Sequence, residues 1–411
     1  MDRRKFFQAG LGSIAAQVAV RAAQTATPAE PAVKMLKVDA YSRHLQWLRT
    51  ADKVAEAAIE MGYDGVDITV RPYPGHVDPT KVATDLPPFV NTIRKHGLQV
   101  VTMTCPIADA DSPNAEQMLA TASSLGLTHY WWGTFRYEQG KPVMEQLEAL
   151  KPRVAKLAAL NAKYKMKAMY HTYSGGGTVG SAIWDFLHVL RNFDPAQVGF
   201  HYDIGHMTNA GGNGTWALNL RAAGPYIAGV SAKDSVMEPT LQVSGGGPLT
   251  PEMAATVAAS GRGRGGPGGG GPPGGGGGGR AGGGAVGAGA SGGAPGRGAG
   301  EGRGPGGGEM AVAGAGGRGG AGGRGGPGGN SMPGWRVRQV PLGTGMDDLP
   351  QVAAILKEIA FSGPIEVQAE YPNGGAQNAQ DKITLPREQV LGAMKRDLLA
   401  LRMAFHQSGL L

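Results

Sequence analysis

The sequence predicts an α/β protein built as a (β/α)8 TIM barrel, with a disordered Gly-rich insertion after its seventh strand. Three observations lead there. Eight short apolar runs are spaced along the chain, with helical periodicity between them. No G-x-G-x-x-G fingerprint opens a helix after the first run, which argues against an open dinucleotide-binding sheet. The third is the distribution of glycine. The chain has 411 residues and 71 glycines, and 41 of these fall between Gly261 and Gly334.

The eight predicted strands are 36–40, 65–69, 99–104, 129–132, 167–171, 198–203, 227–233 and 365–370. Helical periodicity marks 50–61, 82–96, 115–125, 143–163, 180–192, 349–361 and 387–405. Strands alternating with helices at this spacing imply a parallel sheet. Eight such units imply closure into a barrel.

Residues 261–334 break the rhythm. They are mostly Gly, Ala, Pro and Arg, with no aromatic residue. Such a segment cannot bury enough apolar surface to offset its ordering entropy, so disorder is expected. The division is therefore 1–33 leader and linker, 34–260 strands one to seven, 261–334 insertion, and 335–411 completion of the barrel. The closure cost of a long loop grows only with the logarithm of its length, so the fold tolerates it.

The net charge of +7 misleads. The insertion holds seven arginines and two glutamates, and the leader adds Arg3, Arg4, Lys5 and Arg21 against Asp2 and Glu30. The remaining globular part is near neutral and gives no reason to expect nucleic acid or an anionic membrane. RNA-binding Arg/Gly segments interleave aromatic residues for stacking, and this one has none. The single cysteine, Cys105, excludes an intramolecular disulfide and a thiolate zinc site, and it reads as a buried, inert thiol.

Arg3-Arg4-Lys5-Phe6-Phe7 precedes a mild apolar run, 9–20, then small residues and prolines. This resembles a twin-arginine export signal and predicts a periplasmic or otherwise exported protein. The run is too short for stable membrane insertion.

Function in such a barrel belongs at the C-terminal ends of the strands. Strand one runs into Tyr41-Ser42-Arg43-His44, strand two into Asp67, Arg71 and His76, and strand four into Trp131-Trp132. Strand five ends in His171, strand six in His201-Tyr202-Asp203-Ile204-Gly205-His206, strand seven in Ser231-Ala232-Lys233-Asp234, and strand eight carries Glu366 and Glu370. Oxygen and imidazole donors without thiolates suit Mn, Mg, Co or Zn.

The runs Gly62-Tyr63-Asp64-Gly65-Val66-Asp67, Asp203-Ile204-Gly205-His206, Lys233-Asp234 and Gly363-Pro364-Ile365 through Glu370-Tyr371-Pro372 resemble the sugar phosphate isomerase/epimerase group of the xylose isomerase-like superfamily. The resemblance implies a carbohydrate substrate and a divalent metal. It implies metal ligands from a strand-five carboxylate, a strand-six Asp, a strand-seven His and a strand-eight Glu. Asp203 and Glu370 fit that pattern. His171 stands where the carboxylate is expected, and Ser231 where the His is expected. The expected metal set is thus Asp203, Glu370 and His171, with His206 as a substrate contact or a further ligand.

The implied reaction is proton removal beside a carbonyl on a sugar, giving an isomerase or epimerase. Glu370, Lys233 and His206 are the candidate catalytic groups. Arg71, His76, Trp132 (or its neighbour Trp131) and Asp234 are candidate substrate contacts, although Trp132 also reads as core and Lys233-Asp234 as a simple ion pair. Two alternatives use the same residues: a lyase or dehydratase acting on keto-sugars such as 3-keto-glycosides, and a non-catalytic sugar-binding barrel. A homo-oligomer is compatible with all three.

Overall fold

The computed structural model describes residues 36–239, 335–372 and 379–411. The leader and the Gly-rich insertion lie outside the described residues. The described residues all belong to one compact unit, and a second unit, 241–315, lies wholly outside them.

Eight parallel strands close into a barrel. They are β1 (Val38–Tyr41), β2 (Gly65–Thr69), β3 (Thr102–Thr104), β4 (His129–Trp132), β5 (Lys167–His171), β6 (Val198–Asp203), β7 (Ile227–Ala232) and β10 (Ile365–Val367). The ring closes where β1 pairs with β10, Asp39 opposite Glu366. All eight coincide with the predicted runs. The third and eighth are shorter, because Gln99–Val101 and Gln368–Glu370 leave regular pairing.

The helices are α1 (Ala51–Met61), α2 (Val82–Lys95), α3 (Ala115–Ser124), α4 (Val143–Tyr164), α5 (Trp184–Leu190), α6 (Ile204–Ala223), α7 (Leu349–Glu358) and α8 (Arg387–Gln407). Helix α4 shows why they form. Leu147, Leu150, Val154, Leu157 and Asn161 fall three or four apart and make one buried stripe. Asn161 belongs there because it accepts from the Tyr130 hydroxyl and donates to the Gln197 carbonyl. Asp348 caps α7 by accepting from the Gln351 amide.

Two elements were not predicted. Helix α6 contains four glycines and turns through a non-helical Gly212, so no regular apolar period shows in its sequence. The second is a hairpin. Residues Asp234–Pro239 (β8) leave β7 after Lys233 and pair antiparallel with Trp335–Val340 (β9), Pro239 opposite Trp335. The described chain thus stops at Pro239 and resumes at Trp335, paired side by side at the end of a hairpin that follows β7.

Because side chains alternate along a strand, each barrel strand sends one set outward to the helices and one inward. Tyr130, Trp132, Tyr170, Phe200 and Tyr202 point outward into the main apolar core. Trp131 and Met169 instead pack with Tyr41 inside the barrel. Among the described residues, no helix is long and apolar enough to cross a membrane.

Candidate active site

At the C-terminal mouth, Lys233 is the focus. It follows β7, and its Nζ lies 2.9 Å from Asp203 Oδ2 at the end of β6. It also donates to His206 Nε2 at 3.0 Å, Gln368 Oε1 at 3.3 Å and Glu370 Oε2 at 3.3 Å. Lys233 and Asp203 are buried, while the Glu370 side chain keeps 19 % of its surface exposed. Gly205 makes room for the lysine stem: a Cβ there would come within 2.9 Å of both Lys233 Cγ and the Lys233 carbonyl.

Asp203 serves two structures at once. Its Oδ1 caps α6 by accepting from the His206 amide at 2.7 Å. Its Oδ2 receives Lys233 and the Ser231 hydroxyl, and His171 Nε2 stands 3.5 Å away.

The hydrogen bonds also fix a tautomer. An ammonium can only donate, so His206 Nε2 must accept, and the ring proton sits on Nδ1, 2.8 Å from Ser174 Oγ. Burial, and then the charge of Lys233, keep His206 neutral well below the usual histidine range. Burial does the same to His171, aided by His201 and Lys233. Burial alone would raise Glu370, but the charge of Lys233 holds it down, at about 2. Burial works against the Lys233 charge, yet Asp203 and Glu370 more than offset it and raise its pKa.

His171 stacks on Trp131, with ring centroids 4.1 Å apart, and Tyr41 also stacks on Trp131, at 5.3 Å. Tyr173 closes edge-on against His171 at 4.5 Å. Arg71 lies close enough that its charge acts on Tyr41, His171 and Tyr173.

The structure thus brings together Lys233, Asp203, His206, Glu370 and His171, with Arg71 nearby. Three of the expected substrate contacts lie elsewhere. His76 Nε2 is engaged by the Leu45 and Leu48 carbonyls and its ring rests against Phe89, so it braces the loop after β1. Trp132 points outward, donates to the Ala108 carbonyl and packs among Phe135, Tyr170 and Phe186. Its neighbour Trp131 is the inward one. Asp234 is no ion-pair partner of Lys233. Its carboxylate accepts from the amides of Ser235, Gly343, Gly345 and Asp347, and so organises the loop after β9.

Tyr173, Ser174 and Gln368 were not singled out, whereas Trp131 was the alternative to Trp132 as a stacking residue. Alternation from Asp203 back to His201, and from Glu370 back to Gln368, is the signal that would have found Gln368. Tyr173 and Ser174 follow β5 in a loop, where no period exists. Cys105 is buried, and burial pushes its thiol up to about 12, in keeping with an inert role.

Below the mouth lies a second polar layer. Asp39, Asp67, Thr102, His201 and Glu366 border a cavity of about 10 Å³, the volume of about one water probe. Burial raises Asp39 to about 8 and Asp67 to about 7. Gln368 links the layers, donating to Glu366 at 2.7 Å while accepting from Lys233.

His171, Asp203 and His206 offer ligand atoms within 4.8 Å of one another, a spacing that suits a cation. Lys233 already engages a donor atom on two of the three residues, Asp203 Oδ2 and His206 Nε2. A metal taking those two atoms at about 2.0–2.2 Å would be set against the ammonium. With Lys233 in this position the donors do not fit a divalent ion.

A parallel barrel with its polar residues gathered at the C-terminal mouth defines a TIM-barrel protein of the enzyme-like kind. The chain matches the Xylose isomerase-like TIM barrel family over residues 55–263, and it belongs to that family. No curated protein matches it. Among solved structures it is similar to an IOLI protein with a bound zinc atom, at 14 % identity and TM-score 0.52, covering 90 % of this chain and 99 % of that one. It is also similar to a D-tagatose 3-epimerase-like protein, at 11 % identity and TM-score 0.51, covering 91 % and 98 %. At these identities the likeness is one of fold.

Proposed function

We propose that this protein is a sugar isomerase or epimerase that moves a proton at a carbon beside a carbonyl. The observation that carries the reading is the pairing of Lys233 with Glu370, 3.3 Å apart at the barrel mouth, one buried and the other reaching the surface. A carbonyl oxygen arriving at Lys233 would take over a hydrogen bond now given to Glu370. Glu370, released from that bond, gains proton affinity and can take the proton from the neighbouring carbon. The C–H electron pair then moves toward the oxygen, and the ammonium stabilises the resulting enediolate charge. Return of the proton to the former carbonyl carbon, with the hydroxyl proton passing to the old carbonyl oxygen, gives the isomer. Protonation of the original carbon on its opposite face, by an acid other than Glu370, gives the epimer.

His206 and Asp203 hold the ammonium in place, and Trp131, stacked against His171, fixes the plane of that imidazole. The epimerase-like structural neighbour supports this choice of reaction, and the family supports the barrel-mouth location.

The test is incubation with a panel of keto-sugars and 3-keto-glycosides in D2O, read by NMR. Deuterium should appear beside the carbonyl in at least one sugar, and Glu370→Gln should abolish it. If no sugar exchanges, the reading fails. If exchange ends in loss of a leaving group, the lyase alternative replaces it.

A further inference from the structure

We propose that the Lys233 ammonium is the resident cation of this site and that it takes the place of a divalent metal. The inference rests on the same site as the isomerase reading. Its test is a binding measurement, so either can fail without the other.

Four acceptors from three elements surround Nζ: Asp203 Oδ2, His206 Nε2, Gln368 Oε1 and Glu370 Oε2, all within 3.3 Å. Two are carboxylates and one is an imidazole, the donor types a divalent ion uses. An ammonium has three protons, so the acceptors saturate it. The positioning is built into the backbone. Gly205 leaves the space through which the lysine stem passes, and any side chain there would meet Lys233 Cγ and its carbonyl.

The other residues around the carboxylate agree. Ser231 stands where the resemblance expects a ligating histidine, and its hydroxyl donates to Asp203 Oδ2 at 3.3 Å. A donor at that place occupies the carboxylate oxygen without offering a nitrogen to a metal. A divalent ion bound to Asp203 and His206 would have to displace Lys233 from both, and it would then face a like charge within the same buried pocket. Lys233 cannot easily leave, because it is buried on a strand end whose next residue, Asp234, is fastened by four amides.

Removing the ammonium should therefore turn the site into a metal site. Lys233→Met keeps the stem and leaves Asp203, His206, His171 and Glu370 without the ammonium that lies among them. The experiment is calorimetric titration of Zn²⁺ and Mn²⁺ into the wild-type chain and Lys233→Met, with metal content measured on both as purified. The wild type should hold no stoichiometric metal and bind neither ion at micromolar concentration. Lys233→Met should bind Zn²⁺ at least about tenfold more tightly than the wild type, and its melting temperature should rise with the ion. The double variant Lys233→Met, Asp203→Asn should lose that gain. One equivalent of metal bound by the wild type at micromolar concentration overturns the proposal, and so does a Lys233→Met variant that binds no better than wild type. If Lys233→Met does not fold, Lys233→Gln takes its place, and the wild-type titration alone remains decisive in either direction.

Discussion

Lys233 Nζ and Asp203 Oδ2 lie 2.9 Å apart and tie the end of β7 to the end of β6. The same carboxylate caps α6 through its other oxygen. Charge balance and helix initiation thus depend on one side chain, and the two contributions can be separated by substitution.

Asp203→Asn retains an oxygen able to cap α6 but removes the charge facing a buried ammonium. Breaking a buried pair from one side costs about 3–5 kcal/mol. Asp203→Ala also loses the cap, for about a further 1 kcal/mol. Urea denaturation should rank the wild type above Asp203→Asn and that above Asp203→Ala. Equal stability of the two variants would show that the cap contributes nothing.

Trp131 and Trp132 are adjacent and face opposite sides of the sheet. Trp131→Ala should remove the surface on which His171 stacks and lower kcat/KM by at least about tenfold on whichever sugar is turned over. Trp132→Phe should lower stability by about 1–3 kcal/mol through lost packing and leave kcat/KM nearly unchanged. Steady-state kinetics on both, alongside their melting temperatures, checks the assignment of faces.

Asp39 predicts a pH dependence. Burial lifts its carboxyl from 3.8 in the unfolded chain to about 8 in the folded one, with Asp67 adding repulsion and the Gln99 amide opposing it. Below about 3.8 both states hold the proton. Between 3.8 and 8 the folded chain keeps a proton that the unfolded chain gives up. This contribution to stability is therefore fully present at low pH, falls as pH rises, and is spent above about 8. The slope approaches about 1 kcal/mol per pH unit. Asp39→Asn should flatten it, so that the variant gains on the wild type between pH 5 and pH 8. Urea midpoints at several pH values provide the measurement. An unchanged difference across that range would mean that Asp39 is ionised in the folded chain.

Residues 240–334 leave and re-enter between Pro239 and Trp335, which are paired across β8 and β9. The two ends are thus spaced for a two-residue turn. Replacing 240–334 with Asn-Gly should move the melting temperature by no more than a few degrees, since a ΔΔG of 1 kcal/mol shifts Tm by roughly 2–4 °C in a domain larger than about 150 residues. A collapse of stability would show that the removed segment contributes to the barrel.

The strands were legible because a parallel barrel buries them on both faces. Val198–Asp203 and Lys167–His171 therefore read as short, largely apolar runs that end in a polar residue, Asp203 and His171. Helices α1 to α5, α7 and α8 were legible because each buries a single stripe. Helix α6 was not, because its glycines and the turn at Gly212 erase the period. The hairpin was hidden for another reason. Its two strands are separated by 95 residues, so although Trp335-Arg336-Val337-Arg338 alternates apolar and charged residues, nothing local points to its partner.

The candidate site divides along the same line. Sequence alone determined that polar residues would stand at strand ends, because strand periodicity and barrel topology together set which residues reach the mouth. It named Asp203, His206, Lys233, Glu370 and His171 as a group. Tertiary structure decided what each does within it. Whether Lys233 turns to Asp234 beside it or to Asp203 and Glu370 across the barrel depends on how β6, β7 and β10 converge and on the space left by Gly205. Whether Trp131 or Trp132 faces the site depends on a register that shifts every side chain to the opposite face with a slip of one residue. These are relations between segments far apart in sequence, and they acquire a definite geometry only when the barrel closes.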